Sequence, residues 1–327
     1  MSNRTRSHFA TAICTFAALF ILVARPLGDK AGVINEASVR AHMGFLASDA
    51  LNGRGSGTRD EWIAATYMGA QMRQWGIEPL GDNGDFVQTV ETTRGGQTGH
   101  TWNAIGRLKG SDPKLAGDVI LLTAHLDHLG NRGTTGDTIF NGADDDASGS
   151  TAVLELAEAI AKGHRPKRTV MFVWFGSEES DGAGARNFLD HPPVPLERIV
   201  ANLEFEMIGR PDAKVPPHTL WLTGYERTNL GAELAKRGAK IVADPHPDQH
   251  FFERSDNIQL ARRGVIAQTV SSFGLHTDYH KASDEIGTID FTHMTDAIQS
   301  MLAPVRWLAN TAFTPVWLEG MKPTAGR

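Results

Sequence analysis

Cysteine is almost absent from this chain: 327 residues include one, Cys14. It lies in an apolar N-terminal stretch, and the residue before it, Ile13, is not the small one that precedes a lipidated cysteine. A chain processed beyond that stretch has no disulfide, no thiolate metal ligand and no cysteine nucleophile. Basic runs are lacking as well. Lys and Arg number 32 against 38 Asp and Glu, for a formal net charge of -6, and they are scattered, which excludes a basic stripe for nucleic acid. There is no internal repeat, no low-complexity tract, no His-Glu-x-x-His helix and no Gly-x-Ser-x-Gly elbow. Chemistry is thereby left to histidines, carboxylates and hydroxyls.

What is present at the N-terminus is an export pattern. Arg4 and Arg6 precede an apolar run from Phe9 to Ala24, broken only by Thr11 and Thr15 and ended by Arg25-Pro26. A positive start before about 15 apolar residues is the layout of a secretory signal, and an uncleaved anchor is the alternative. Residues 1–28 are therefore read as signal or anchor, placing the protein in the periplasm or outside the cell. Residues 29–327 are read as one globular domain.

Two helices are predicted to open that domain, over residues 36–48 and 59–75. The second carries Ala64, Met68, Met72 and Trp75 on one face. Between them, Asn52-Gly53-Arg54-Gly55-Ser56-Gly57 reads as a flexible connection, since it lacks the Lys-Ser/Thr of a phosphate loop. From residue 116 strands and helices alternate. Strands are expected at 118–124, 169–175, 198–205 and 264–270. A helix is expected at 148–162, with Val153, Leu156 and Ile160 on one face, Ser148 as its cap and Gly163 after its end. This rhythm predicts an α/β three-layer sandwich, a mostly parallel sheet covered by helices on both faces.

Polar residues gather where these strands end. Strand 118–124 runs into His125-Leu126-Asp127, 169–175 into Glu178-Glu179, 198–205 into Glu206, and 264–270 through a loop into His276-Thr277-Asp278-Tyr279-His280. Ligands in open α/β sheets bind at the carboxyl ends of strands, so distant segments converge on one rim. Asp144-Asp145-Asp146 lies in a tight turn into the helix, where three acids repel one another unless a cation is present. Singly, a His-x-Asp is more often a surface or core pair, and adjacent glutamates usually sit on a solvated helix turn. Together they read as a metal site.

Five motifs carry a family resemblance: Ala124-His125-Leu126-Asp127, residues 141–149, Ser177-Glu178-Glu179, Glu206-Met207-Ile208-Gly209 and Asp278-Tyr279-His280. Over roughly residues 40–310 the chain resembles the co-catalytic zinc aminopeptidases, the group of bacterial leucyl aminopeptidases, aminopeptidase Y and glutamate carboxypeptidase. The resemblance implies two Zn²⁺ ions held by His125, Asp145, Glu179, Glu206 and His280, with Asp145 bridging them. It further implies Asp127 orienting His125, Glu178 as general base and Tyr279 stabilising the oxyanion. Those residue types suit such chemistry, since imidazole and carboxylate bind zinc, and a base must be a carboxylate that ligation does not consume. Two departures stand out, Glu206 where the family usually has Asp, and Ala282 where it tends to have Pro. The lid-like insertion common before the first histidine has no room here, so no inserted lid domain is expected.

Glu204 would point the same way as Glu206 on a strand. His128 could contact substrate or a ligand, residues 246–256 could supply a pocket residue, and His276 and Asp278 would order their loop. The implied activity is a peptidase acting on peptides, foremost an aminopeptidase. A carboxypeptidase or dipeptidase on the same scaffold, a single-zinc glutaminyl cyclase and a non-catalytic binding domain are the alternatives.

Overall fold

The computed structural model describes residues 32–324. The apolar N-terminal segment and Cys14 lie outside the described residues, as does the expected cleavage region.

Seven helices are described: α1 (Glu36–Leu46), α2 (Arg59–Gln74), α3 (Gly149–Ala161), α4 (Ala183–Asp190), α5 (Leu230–Lys236), α6 (Asn257–Arg262) and α7 (Phe291–Asn310). The strands are β1 (Glu78–Pro79), β2 (Val87–Arg94), β3 (Gln97–Leu108), β4 (Val119–His125), β5 (Gly130–Asn131), β6 (Ile139–Phe140), β7 (Thr169–Phe175), β8 (Ile199–Phe205), β9 (Leu220–Leu222), β10 (Ile241–Ala243) and β11 (Ala267–Ser271). One mixed sheet runs in the order β1-β3-β7-β4-β8-β11-β9-β10, with β2 paired to β3, and β5 and β6 form a separate small ribbon.

The four middle strands, β7, β4, β8 and β11, are mutually parallel, whereas β1, β2 and β3 join antiparallel at one side and β9 pairs antiparallel with β11. The parallel strands read as near-continuous apolar runs because both faces are covered. On β4 and β7 the alternation divides cleanly. Ile120, Leu122, Ala124, Val170, Phe172 and Trp174 enter one apolar core, and Val119, Leu121, Met171, Val173 and Phe175 enter the other. The first core is closed by α1, α2, α3 and α7, and the second by α4 and α6. The expected sandwich is therefore present, and among the described residues no lid domain is inserted before β4.

Several local expectations need correction. The region between α2 and β4 holds a long hairpin, β2–β3, turned at Gly95-Gly96, where both residues have positive φ as a tight two-residue turn requires. Ser148 does not cap α3: its hydroxyl donates to Asp144 O, and Asp146 Oδ1 accepts from Gly149 N instead. Trp75 lies just past the end of α2, only partly buried, while Ala64, Met68 and Met72 are fully enclosed. The last strand begins at Ala267 rather than 264, because Gly264 with φ +100° belongs to the turn after α6.

Candidate metal centre

The connection from β4 leads to β7 on one side, whereas the chain after β8 continues to strands on the other. A crevice therefore opens between the C-terminal ends of β4 and β8, where an α/β sheet receives its ligand. His125 is the last residue of β4 and Glu206 follows β8 directly.

Asp145 stands at the middle of the crevice. His125 Nε2 lies 3.2 Å from Asp145 Oδ1, and His280 Nε2 lies 3.2 Å from Asp145 Oδ2 and 3.0 Å from Glu179 Oε2. Ligand atoms of His125, Asp145 and Glu206 fall within 4.8 Å of one another, and so do those of His128, Asp145 and Glu179. All five residues expected as ligands are thus gathered, and His128 joins them. His125, His128 and Asp145 are buried and Glu179 and Glu206 partly so, while His280 keeps 37% of its side-chain surface exposed and forms the open side.

The acid triplet divides its labour. Asp144 Oδ1 accepts from Gly209 N at 2.8 Å and its Oδ2 meets His276 Nε2 at 2.8 Å. Asp146 Oδ1 accepts from Gly149 N at 3.0 Å and Met207 N at 3.1 Å, while Ser148 Oγ accepts from Ile208 N at 2.9 Å. The three amides after Glu206 are thereby tied to the turn bearing Asp145. The Asp145-Asp146 peptide bond is cis. Asp284 accepts from both Asp144 N and Asp145 N. Nothing in the sequence singles it out.

Asp127 supports the site, though by a different contact from the expected one. His125 Nδ1 is 3.1 Å from the Asp127 backbone carbonyl and 3.8 Å from its carboxylate. The carboxylate accepts instead from Glu178 N at 3.0 Å, from Glu179 N at 3.3 Å and from the Ser56 hydroxyl. One residue thus couples the imidazole on β4 to the Glu178-Glu179 turn after β7. Ser177, Met207 and His280 each adopt left-handed backbone conformations, with φ of +65°, +52° and +57°, and so bend the chain sharply beside the functional residues.

The glycine-rich loop is not the flexible connection its composition suggests. Arg54 is 1% exposed, and its guanidinium donates to the carbonyls of Leu46, Leu126, Asn141 and Gly142. It therefore clamps the segment after His125 to the segment before Asp145. Glu61, also buried, accepts from Gly57 N at 2.7 Å and Ser177 N at 3.1 Å. Burial, and then the charge of Asp127, push its carboxyl up to about 8.

The electrostatics call for a cation. Burial, reinforced by Asp145 and Glu179, pushes Glu206 up to about 7. Burial likewise holds Glu178 well above the usual carboxylate range, with Glu206, Asp256 and Glu179 adding to the shift. Burial would raise Asp145 too, but the imidazoles of His125 and His280 beside it hold it well below. His280 would be lowered by burial, yet Asp145 and Glu179 raise it to about 9. Carboxylates this crowded share a site when positive charge is supplied. His125 Nε2 is buried, has no hydrogen-bond partner and faces Asp145. Imidazoles and carboxylates in two groups around one shared Asp fit zinc.

Other expectations resolve by position. Glu204 is fully buried on β8, accepts from Asn257 N at 2.6 Å, and belongs to neither group. His276 and Asp278 order their loop, the latter through Arg210 and Ser283. The Tyr279 ring stacks on His280 with centroids 3.8 Å apart, and burial with the nearby carboxylates pushes its phenol up. Beside Glu206 and Tyr279 a recess opens, lined by Met207, Trp221, Phe251 and Phe273, with Ser255 and Arg254 completing it. Residues 246–256 thus contribute Phe251, Arg254 and Ser255, whereas His246 pairs with Asp212 at 2.7 Å.

Residues 103–305 match the model of peptidase family M28. Leupeptin-inactivating enzyme 1 of Streptomyces exfoliatus is 31% identical over 182 residues, covering 54% of this chain and 36% of the relative. The chain thus matches only about a third of that relative's length. Leucine aminopeptidase 1 of Trichoderma harzianum is 23% identical over 308 residues, 89% of this chain and 73% of that one. A solved zinc aminopeptidase from Bacillus subtilis superposes with a TM-score of 0.63 at 15% identity, covering 85% of this chain and 96% of that chain. At that identity the likeness concerns the fold.

Proposed function

This chain belongs to peptidase family M28, and from that membership we propose that it is an exported two-zinc aminopeptidase that removes N-terminal residues from peptides. The observation that carries the proposal is the pair of donor groups sharing Asp145, with Glu178 and an aromatic recess beside them. His125, Asp145 and Glu206 would hold one ion, and Asp145, Glu179 and His280 the other. Bound zinc supplies acidification of a water and polarisation of a carbonyl. The relatives' printed names, leucine aminopeptidase and zinc aminopeptidase, support the same direction.

The chain's own residues have separable roles. Glu178 takes the proton of the attacking water and delivers it to the leaving amine, a role suited to a carboxylate that ligation does not consume. Asp127 sets its position by accepting the Glu178 and Glu179 amides. The Tyr279 phenol, neutral because burial and carboxylates raise it, donates toward the developing oxyanion. Trp221, Phe251 and Phe273 receive the side chain of the residue to be released and keep water from it. Residues 29–327 act as one catalytic domain, after residues 1–28 have directed export.

A second reading, a carboxypeptidase or dipeptidase, is favoured by one residue. Arg254 beside the recess offers a cation for a substrate carboxylate. The deciding experiment pairs metal content with a substrate panel. An aminopeptidase with two ions per chain releases amino acids from free aminoacyl amides and spares N-blocked ones. Cleavage of only N-blocked dipeptides would transfer the assignment to the carboxypeptidase. A metal ratio near one would support the single-zinc cyclase reading instead. Among the described residues no helix is long and apolar enough to cross a membrane. Export is therefore checked separately, by the N-terminal residue and intact mass of the chain recovered outside the cytoplasm.

A further inference from the structure

The residue gathered at the centre without an assigned role is His128. Its ring is fully enclosed, with Nδ1 2.7 Å from Glu179 Oε1 and 3.9 Å from Asp145 Oδ2. Its backbone is fixed from behind, since His128 N donates to Arg54 O and pairs with Gly55 as an isolated bridge. On another side Gly142 leaves room for the ring, because a Cβ there would come within 2.5 Å of the His128 Cγ. The imidazole therefore has little freedom, and its direction toward Glu179 is set by the fold.

Two roles are open to such a ring, and the distances separate them. Ligand atoms on one tetrahedral zinc, at bonds of about 2.0–2.2 Å, stand roughly 3.3–3.6 Å apart. The contacts of His280 Nε2 with Asp145 Oδ2 and Glu179 Oε2, 3.2 and 3.0 Å, are near that spacing. The His128 contact at 2.7 Å is the length of a charge-assisted hydrogen bond, and it falls on the other oxygen of Glu179. We propose that His128 is a positioning residue: its Nδ1–H donates to Glu179 Oε1 and holds Oε2 toward the metal position shared with Asp145 and His280. This rests on the reading that Asp145, Glu179 and His280 hold a metal ion.

The test titrates metal-free protein with Co²⁺, followed by its visible spectrum, and with Zn²⁺ against a competing chelator. Loss of a hydrogen bond behind a ligand weakens metal binding by about 10–100-fold. His128→Ala should weaken one of the two sites by that factor, leave the other unchanged, and at saturation reproduce the wild-type Co²⁺ bands. His128→Asn, whose amide nitrogen can take the place of Nδ1, should restore most of the affinity, whereas His128→Gln should not. Altered Co²⁺ bands at saturation, or a lost equivalent of metal, would overturn the proposal in favour of direct ligation. Equal weakening of both sites would reduce His128 to a structural residue, and unchanged affinities would remove it altogether. Failure of the underlying metal reading looks different: wild-type protein would bind fewer than two ions, or Glu179→Ala would bind as the wild type does.

Discussion

Replacing Arg54 by Met tests whether a buried cation assembles the site from a loop that composition alone marks as a linker. Its guanidinium serves four carbonyls, of which Gly142 O keeps a second donor in Ala147 N. The substitution leaves the carbonyls of Leu46, Leu126 and Asn141 without this partner. Each buried acceptor so orphaned costs about 1–3 kcal/mol. Burial pulls the Arg54 guanidinium below its usual range, against the opposing pull of Asp146, Asp127, Asp284 and Asp145, so removal also relieves some desolvation. Three such acceptors, less the desolvation relieved, put the net loss at about 3–5 kcal/mol. In a domain of this size that lowers Tm by about 6–20 °C. Thermal unfolding of metal-free and metal-loaded protein measures it. Metal affinity should also fall at temperatures where the variant remains folded, because Arg54 joins the segments after His125 and before Asp145. Arg54→Lys should recover only part of the loss, since an ammonium cannot reach four carbonyls in a planar fork. A Met variant within about 2 °C of wild type, with normal metal affinity, would refute the reasoning.

Glu178→Ala should lower kcat by about 10²–10⁴-fold with metal content unchanged, since a general base contributes that much; loss of metal would instead make Glu178 a ligand. Gly149→Ala places a Cβ against Phe205 O and Asp146 Oδ1. Overpacking of this kind costs about 1–3 kcal/mol, read as a lower Tm with or without metal. The pH dependence of the metal-free protein should run opposite to ordinary carboxylate behaviour. Glu206, Asp256 and Asp284 are each raised to about 7, foremost by burial, so the folded chain holds protons that the unfolded chain releases near pH 4 to 4.5. These groups make stability fall as pH rises through about 4 to 7. A bound cation cancels their repulsion, so the Tm difference between zinc-loaded and EDTA-treated protein should widen from about pH 5 to about pH 7.5. A constant difference would contradict the assignment.

Much of the site is legible in the sequence because its donors sit at strand ends, and buried parallel strands announce themselves as apolar runs. His125, Glu178, Glu179 and Glu206 each follow such a run within a few residues, so locating the strand locates the side chain. Asp145 and His280 lie in loops, and there the motif, not periodicity, identifies them. The β2–β3 hairpin does carry a local turn signal, Gly95-Gly96 between β-forming residues, but no apolar run marks its strands. Asp284, Arg54 and Glu61 have no comparable signal. A lone arginine between glycines, or a glutamate in the first turn of a helix, looks the same whether it faces water or a carbonyl cluster.

The order of residues along the chain determined the sandwich, the donor types and the rim on which they meet, since local apolar patterning and turn chemistry act over a few residues. Tertiary structure decided how those donors are held. It turned the Asp127 carboxylate toward two amides of another strand's turn, gave Asp144 and Asp146 to the loop after Glu206, and brought His128 against Glu179. Those contacts join residues 51 to 65 positions apart. Their geometry follows from how strands pack side by side, which no local pattern encodes.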